Sequence, residues 1–407
     1  MLAKSDPKIN DGLKSNLHLT AALLISAIFF AVYVLTLRPE QPWSTEDYTL
    51  YLMHARNLLA GLAYSQTPYI PNPQNSIISP SSYPPGFSLL LVPVLALFGV
   101  SVLAAKVFNA FLLSLVLFTL FFITRSRLPH GWPALIMILC GAAPAFFGSR
   151  DAVYSETPFL IWCYVGLIAG GALRRGCQPI LMAMVVVSAV AMAILTRTVG
   201  VVLAAALMLT PCILPCKHRI LSIFSAGAGV VIASLVSRWL AVDGTTYLSY
   251  FDHMDMGSLL SWLTETVIIY ALALSNGFGL QFGNFLNAFV IVLIIAAIIF
   301  GFTSTIFKSI TEVDVFVFEY VIMLLVYPVR LEALRYLLPI FPFLILYILK
   351  SFEILTRNFL SPMPRRGLAL LFFSGLYIPF YVAHDPLARP AFYTADTASL
   401  EMFVTNV

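Results

Sequence analysis

Charge is what this chain lacks most. Only 10% of its 407 residues are Asp, Glu, Lys or Arg, 23 basic and 19 acidic, where ordinary soluble domains carry about 25%. So few charged side chains cannot clothe a chain of this length in water, which excludes a soluble globular enzyme and a disordered chain. A formal net charge of +4 over so long a sequence is no basic patch, so nucleic acid is excluded as a partner. Cysteine is scarce too. Cys140, Cys163, Cys177, Cys212 and Cys216 all lie in or beside apolar runs, so they form no secreted disulfide framework. No His or Asp stands at metal-ligand spacing from them, and no metal site is expected. Also missing are the two-residue alternation of a membrane barrel and an internal repeat of transporter type. No small-residue cleavage site follows the first apolar stretch, which reads as an uncleaved span rather than a signal peptide.

What the chain has instead is apolar length. Hydrophobic residues make up 60% of it and aromatics 14%, and the mean hydropathy is +0.92. The apolar residues come in runs of roughly 15–22, the length of membrane-crossing helices. The fold class is therefore an all-α polytopic membrane protein with about eleven spans, near 18–37, 103–124, 132–148, 153–173, 179–196, 199–215, 220–241, 285–304, 314–329, 336–350 and 367–383. Two further apolar stretches, 87–102 and 267–280, are interrupted by Pro93 and Gly99 and by Gly277 and Gly279.

The basic residues set the orientation. With the N-terminus cytoplasmic, 14 of the 23 fall inside, including the pairs Arg125/Arg127, Arg174/Arg175, Lys217/Arg219 and Arg365/Arg366, as the positive-inside rule requires. Counting 87–102 as a span would turn the first three pairs outward, so it reads as re-entrant or surface-lying. The C-terminus then lies outside. The long loops, 38–102 and about 243–284, face outward, and with them the expected chemistry. Residues 1–350 read as one module, and 351–407 as a cytoplasmic linker, a last span and a short external tail.

The first outer loop carries the strongest signal. After Trp43, Ser44-Thr45-Glu46-Asp47 leads into Tyr48, Tyr51, Leu52, Ala55, Leu58, Leu59 and Leu62, which share one helical face. Thr49, Arg56 and Asn57 occupy the other face, and Gly61 is a natural stop. This reads as an amphipathic helix on the outer membrane surface. Glu46 and Asp47 complement its dipole, with Ser44 or Thr45 as cap, yet carboxylates at the bilayer boundary also suit a functional site. Six prolines between Thr67 and Pro85 then stiffen a loop ending Tyr83-Pro84-Pro85-Gly86. It is either a plain connector or a rigid lip over a cavity.

Three other places hold rare membrane-level charge. Arg150, Asp151 and Glu156 open the fourth span, where Ser155 or Asp151 would cap the helix and Pro158 suits its first turn. Glu156 falls one turn inside. Arg197 occupies a tight outer turn, and Arg330, Glu332 and Arg335 follow the ninth span, with Glu332 and Arg335 at pairing distance along a helix. Arginines on the side disfavoured for basic residues point to an anion, most simply a lipid phosphate. In the second loop, Asp252, His253 and Asp255 read as solvated residues rather than a metal site.

With these residues placed, the chain resembles the polytopic GT-C glycosyltransferases, and more closely the branch of protein O-mannosyltransferases and lipid A aminoarabinose transferases. The matching elements are Trp43 to Asp47 with Tyr51 and Arg56, Tyr83-Pro84-Pro85-Gly86 and its apolar continuation to Gly99, Ser155-Glu156-Thr157-Pro158-Phe159, Thr196-Arg197-Thr198, and Arg335-Tyr336-Leu337-Leu338-Pro339. They run in order over most of residues 18–350. The resemblance implies a bacterial-type inner-membrane enzyme without cofactor that takes sugar from a polyprenyl-phosphate donor and passes it to a glycan, lipid or protein acceptor outside. Asp47, or Glu46 beside it, would be the base. Arg197, Arg335, Arg330, Arg56 and Tyr83 would hold the lipid phosphate, and Glu156, Asp151 and Arg150 would shape the site. Two departures stand out. Tyr83 and Pro84 occupy the place where some members carry a phosphate-binding Lys, and only about 24 residues follow the last span, where many members have a soluble domain. The alternatives are a transporter or flippase of a lipid-linked sugar and an inactive envelope-synthesis scaffold.

Overall fold

The structure, a computed structural model, describes residues 7–38, 47–67, 80–129, 131–240, 242, 259–327 and 332–383. All regular elements among them are helical. In chain order they are α1 (Pro7–Leu35), α2 (Asp47–Ala60), a 3-10 turn (Pro80–Ser82), α3 (Gly86–Phe98), α4 (Val102–Thr124), α5 (Trp132–Gly141), α6 (Pro144–Ser149), α7 (Glu156–Arg175), α8 (Pro179–Thr196), a second 3-10 turn (Thr198–Gly200) and α9 (Val201–Ile213). There follow α10 (Arg219–Trp239), α11 (Leu259–Gly277), α12 (Asn284–Ser309), α13 (Glu312–Val326), α14 (Ala333–Leu337), α15 (Phe341–Thr356) and α16 (Pro362–Ala383).

Seven of these are long and apolar enough to cross a bilayer: Leu17–Leu35 within α1, then α4, α7, α8, α10, α12 and α16. The protein is thus an all-helical, multi-pass membrane protein by length and composition. The other four expected spans are shorter helices, and proline explains most of the shortening. Pro144 pushes Ala143 into an extended conformation (φ −64°, ψ 136°) and splits 132–148 into α5 and α6. Pro339 lies in the break between α14 and α15. Leu214, extended before Pro215, ends α9 after 13 residues. The 87–102 stretch forms α3, whose 13 residues are too few to span. Residue 350 falls inside α15, so the polar stretch after it shrinks to 357–361.

Packing is helix on helix. α7 lies against α8 and α4, α8 against α10, α12 against α15, and α1 against α4 and α5. Small residues let the backbones approach, as lipid-embedded bundles require. A Cβ at Gly229 would meet Val190 at 2.7 Å, and one at Gly301 would collide with the Tyr347 carbonyl. Tyr33 ties α1 to α5 by donating to the Gly141 carbonyl at 2.8 Å.

α2 departs from the amphipathic expectation. Gly61 does stop it, at φ 69°. But Leu50, Met53, His54 and Asn57 are buried along with Tyr48, Tyr51, Leu52 and Ala55, whereas Leu59 and Leu62 are exposed. The helix is packed against α3 and wrapped by the segment after it, where Asn57 donates to the carbonyls of Tyr64 (3.2 Å) and Gln66 (2.6 Å).

Candidate active site

The start of α2 puts Asp47 at the end of the bundle where α7 begins and α8 ends. Tyr83 donates to Asp47 Oδ1 at 2.7 Å. Tyr83 is itself positioned, because Tyr64 donates to its carbonyl at 2.9 Å and Tyr51 packs edge-on against its ring at 5.4 Å. The next turn is fixed by a close approach. A Cβ on Gly86 would lie 2.7 Å from the Leu195 carbonyl group and from the Thr196 nitrogen, so Pro84-Pro85-Gly86 seats directly on the chain leading into Arg197. Arg197 follows in extended backbone (φ −150°, ψ 135°) between α8 and the second 3-10 turn.

Arg335, on α14, is the hub. Its Nη2 lies 2.9 Å from Asp47 Oδ2, its Nε lies 2.7 Å from Glu156 Oε1, and its Nη1 bonds Glu332 Oε2. Arg197 Nη1 bonds the same Glu156 oxygen. Aromatic faces complete the seat, with the Arg335 guanidinium 4.1 Å from the Tyr154 ring centre and that of Arg197 5.2 Å from Tyr336. Glu156 is 1% exposed, and among the described residues its second oxygen, Oε2, has no side-chain hydrogen-bond partner. An ionised carboxylate oxygen buried with open lone pairs is a site prepared to accept a proton donor.

Burial alone would push the Arg335 guanidinium below the ordinary arginine range. Glu156, Asp47 and Glu332 more than reverse this, and it is held well above. Burial also raises the Glu332 carboxyl, with Arg335 pulling the other way.

The structure thus brings together Asp47, Tyr83, Glu156, Arg197 and Arg335. Glu46 and Arg330 lie outside the described residues, as do Ser44, Thr45 and the Asp252–Asp255 group. Arg56 sits nine residues along α2 from Asp47, about 13 Å by helix rise. Arg150 and Asp151 form a neighbouring network. Asp151 lies 3.2 Å from Arg150 Nη2, 3.9 Å from Arg38 Nε and 4.0 Å from Lys106 Nζ, and it accepts from the Arg38 backbone N–H at 2.7 Å. Arg150 also donates to the Thr36 carbonyl and hydroxyl, both at 2.9 Å. These bonds fasten the end of α1 to the turn before α7.

Neither expected cap forms on α7. Asp151 is taken by the cations, and Ser155 holds the cap position without a side-chain bond, its hydroxyl accepting instead from Tyr51 at 3.0 Å. Glu156 is the first residue of α7 rather than a turn inside it. The residues sequence reasoning missed are aromatic. Tyr154 and Tyr336 each neighbour a residue already singled out, and only the fold shows that their rings face guanidinium groups. Among the described residues no group of His, Cys, Asp and Glu could hold a metal ion.

No protein-family model matches this chain, and no curated protein does either. What the cluster can do follows from its atoms. It offers a partly exposed carboxylate oriented by a phenol and a guanidinium. It also offers two fixed cations, and a buried carboxylate with one oxygen still open.

Proposed function

We propose that the chain is a multi-pass glycosyltransferase of GT-C type, with the shorter apolar helices joining the seven long ones in a bundle of about eleven spans. It transfers a sugar from a polyprenyl-phosphate donor to an acceptor at the extracytoplasmic face of a bacterial-type inner membrane, the face to which the Asp47 end of the bundle is assigned. The observation that carries this reading is the Arg335 hub, a single cation linking the carboxylate of Asp47 to a second acid and a second arginine.

Asp47 takes the proton from the acceptor hydroxyl as its oxygen attacks the anomeric carbon. The bond from that carbon to the lipid phosphate breaks, and the electron pair leaves with the phosphate. Arg335 and Arg197 neutralise the departing charge, a role that needs fixed donors rather than new bonds. Tyr83 holds Asp47 in line. Glu332 explains how the phosphate gains room. Its side chain is 37% exposed, against 29% for Asp47 and 2% for Glu156, so it is the carboxylate most readily displaced from Arg335. The donor phosphate takes its place.

The test is transfer of labelled sugar from undecaprenyl-phosphate hexoses and pentoses by the full chain in proteoliposomes supplied with envelope extract. Wild type transfers label, and Asp47→Asn lowers the rate by about 10²–10⁴-fold, the usual reach of a lost general base. Undiminished transfer by Asp47→Asn overturns the role of Asp47. Movement of the donor across the bilayer without transfer overturns the enzyme reading in favour of a flippase.

A further inference from the structure

The far end of the bundle holds a second charged place that the proposed chemistry does not use. A cavity of about 160 Å³ opens there between α12, α15 and the turn after α4. It has room for several waters at about 30 Å³ each, and therefore for a phosphate group. Four cations line it, Arg127, Lys308, Lys350 and Arg357, against a single lining carboxylate, Glu353. Behind the wall Asp314 pairs with Arg127. Two positive charges therefore remain uncompensated among the described residues.

The decisive atom is on Arg127. Its side chain is 7% exposed and its Nη2 bonds Asp314, yet its Nη1 is buried with no hydrogen-bond partner among the described residues. A buried guanidinium N–H left unmade costs free energy, and a charge-assisted acceptor is the natural partner. Lys350 crosses the cavity to reach Thr305 Oγ1 at 3.2 Å, which leaves two of its three N–H bonds for a ligand. Ser304 and Ser309 add hydroxyls to the wall.

We infer that this cavity binds a phosphate monoester or diester, with Arg127 Nη1 and Lys350 as direct donors and Lys308 and Arg357 drawing the anion in. The phosphate comes either from an anionic lipid headgroup at that membrane face or from a soluble phosphate compound.

The full chain in phosphatidylcholine nanodiscs separates the two sources. Inorganic phosphate is added in one arm, phosphatidic acid is built into the disc in the other, and chloride at equal ionic strength is the reference. The thermal midpoint rises above the chloride reference in at least one arm, and the arm that responds names the source. Arg127→Lys keeps one cation for Asp314 but loses the planar fork and its second donor. It weakens binding about tenfold, seen as a probe titration shifted by that factor. Lys350→Met shifts it in the same direction and Lys350→Arg restores it. Should Arg127→Lys not fold, the Lys350 pair decides alone, since its described bond is only to a hydroxyl. No rise over chloride with either probe overturns the site, and so does a titration that Lys350→Met leaves where wild type has it.

Discussion

α7 begins at Glu156 and ends at Arg175, and its two ends carry the same chemical pair put to opposite uses. Twenty residues of helix separate them by about 30 Å. At the far end, Arg174 pairs with Glu312, and the neighbouring Asp314 takes four donors. Its Oδ1 accepts from Tyr347 at 2.7 Å, while its Oδ2 takes Arg127 and both the backbone N–H and the hydroxyl of Thr311 at 2.8 Å. The backbone bond is one half of the capping box that starts α13, the other being the Thr311 side chain accepting from the Asp314 backbone N–H. Both oxygens of Asp314 are spent on holding the chain's own segments together. At the near end, Glu156 Oε1 serves two arginines, Oε2 serves no side chain among the described residues, and Asp47 hangs on one tyrosine and one arginine. The lesson is that ion pairs in this bundle are told apart by what they leave unmade. A carboxylate crowded by four donors from its own chain is a fastener, whereas one holding only two, or with an oxygen open, is available to a substrate.

The largest loss is expected of Asp314→Ala. Removing one partner of a buried pair strands Arg127, Tyr347 and the cap together, and stability falls by about 3–5 kcal/mol, read as a lower thermal midpoint in micelles. Transfer activity per folded molecule stays near wild type. If activity collapses while folding holds, the far end is no mere fastener.

Next in size is a pH effect at the near end. His54 is fully buried on α2 with neither ring nitrogen partnered among the described residues, against Tyr64 at 4.2 Å and Tyr83 at 6.2 Å, and burial pushes its pKa from 6.5 down to about 4. Below pH 6.5 the unfolded chain gains a proton that the folded chain refuses. Its contribution is therefore complete above pH 6.5 and is lost as pH falls toward 4, by about 3 kcal/mol in all. His54→Phe keeps the ring packing and flattens the stability profile between those limits.

Glu156→Gln is smaller in free energy and different in kind. It frees Arg197 and Arg335 from a shared charge, so transfer falls about 10²-fold, or about 2.7 kcal/mol in barrier, with a far smaller loss of midpoint than Asp314→Ala gives. Equal losses of stability in the two variants would erase the distinction between the ends. The least effect belongs to Glu332→Gln. With a neutral amide where the exposed carboxylate had to be displaced, the donor KM falls a few-fold, about 1 kcal/mol by tenfold-per-1.4 arithmetic. A raised KM would mean that Glu332 holds Arg335 in its working position.

Much of this frame was legible before any coordinates. Uniform apolar runs mark the seven long helices, because nothing but a bilayer tolerates them. Asp47, Glu156, Arg197 and Arg335 stood out because charge is costly where they sit. The shorter helices were harder, since Pro144, Pro215 and Pro339 lie inside or at the edge of runs whose hydropathy barely dips. Periodicity along α2 does not show that its other face is covered too, because the cover comes from the 61–67 turn folding back over His54 and Asn57. The caps expected on α7 failed for a similar reason. Asp151 and Ser155 are good capping residues locally, but Arg38, Lys106 and Tyr51 reach them from elsewhere. The unpartnered Nη1 of Arg127 has no signature in sequence at all.

The bond from Arg335 to Asp47 joins residues 288 apart in the chain. During synthesis α1 to α13 are therefore made, and the long spans among them can already sit in the membrane, before Arg335 has left the ribosome. Until then Asp47 and Glu156 lack their common cation. Activity, on this reading, is a property the molecule acquires late in its own manufacture, and any truncation upstream of α14 yields an inserted protein with no site.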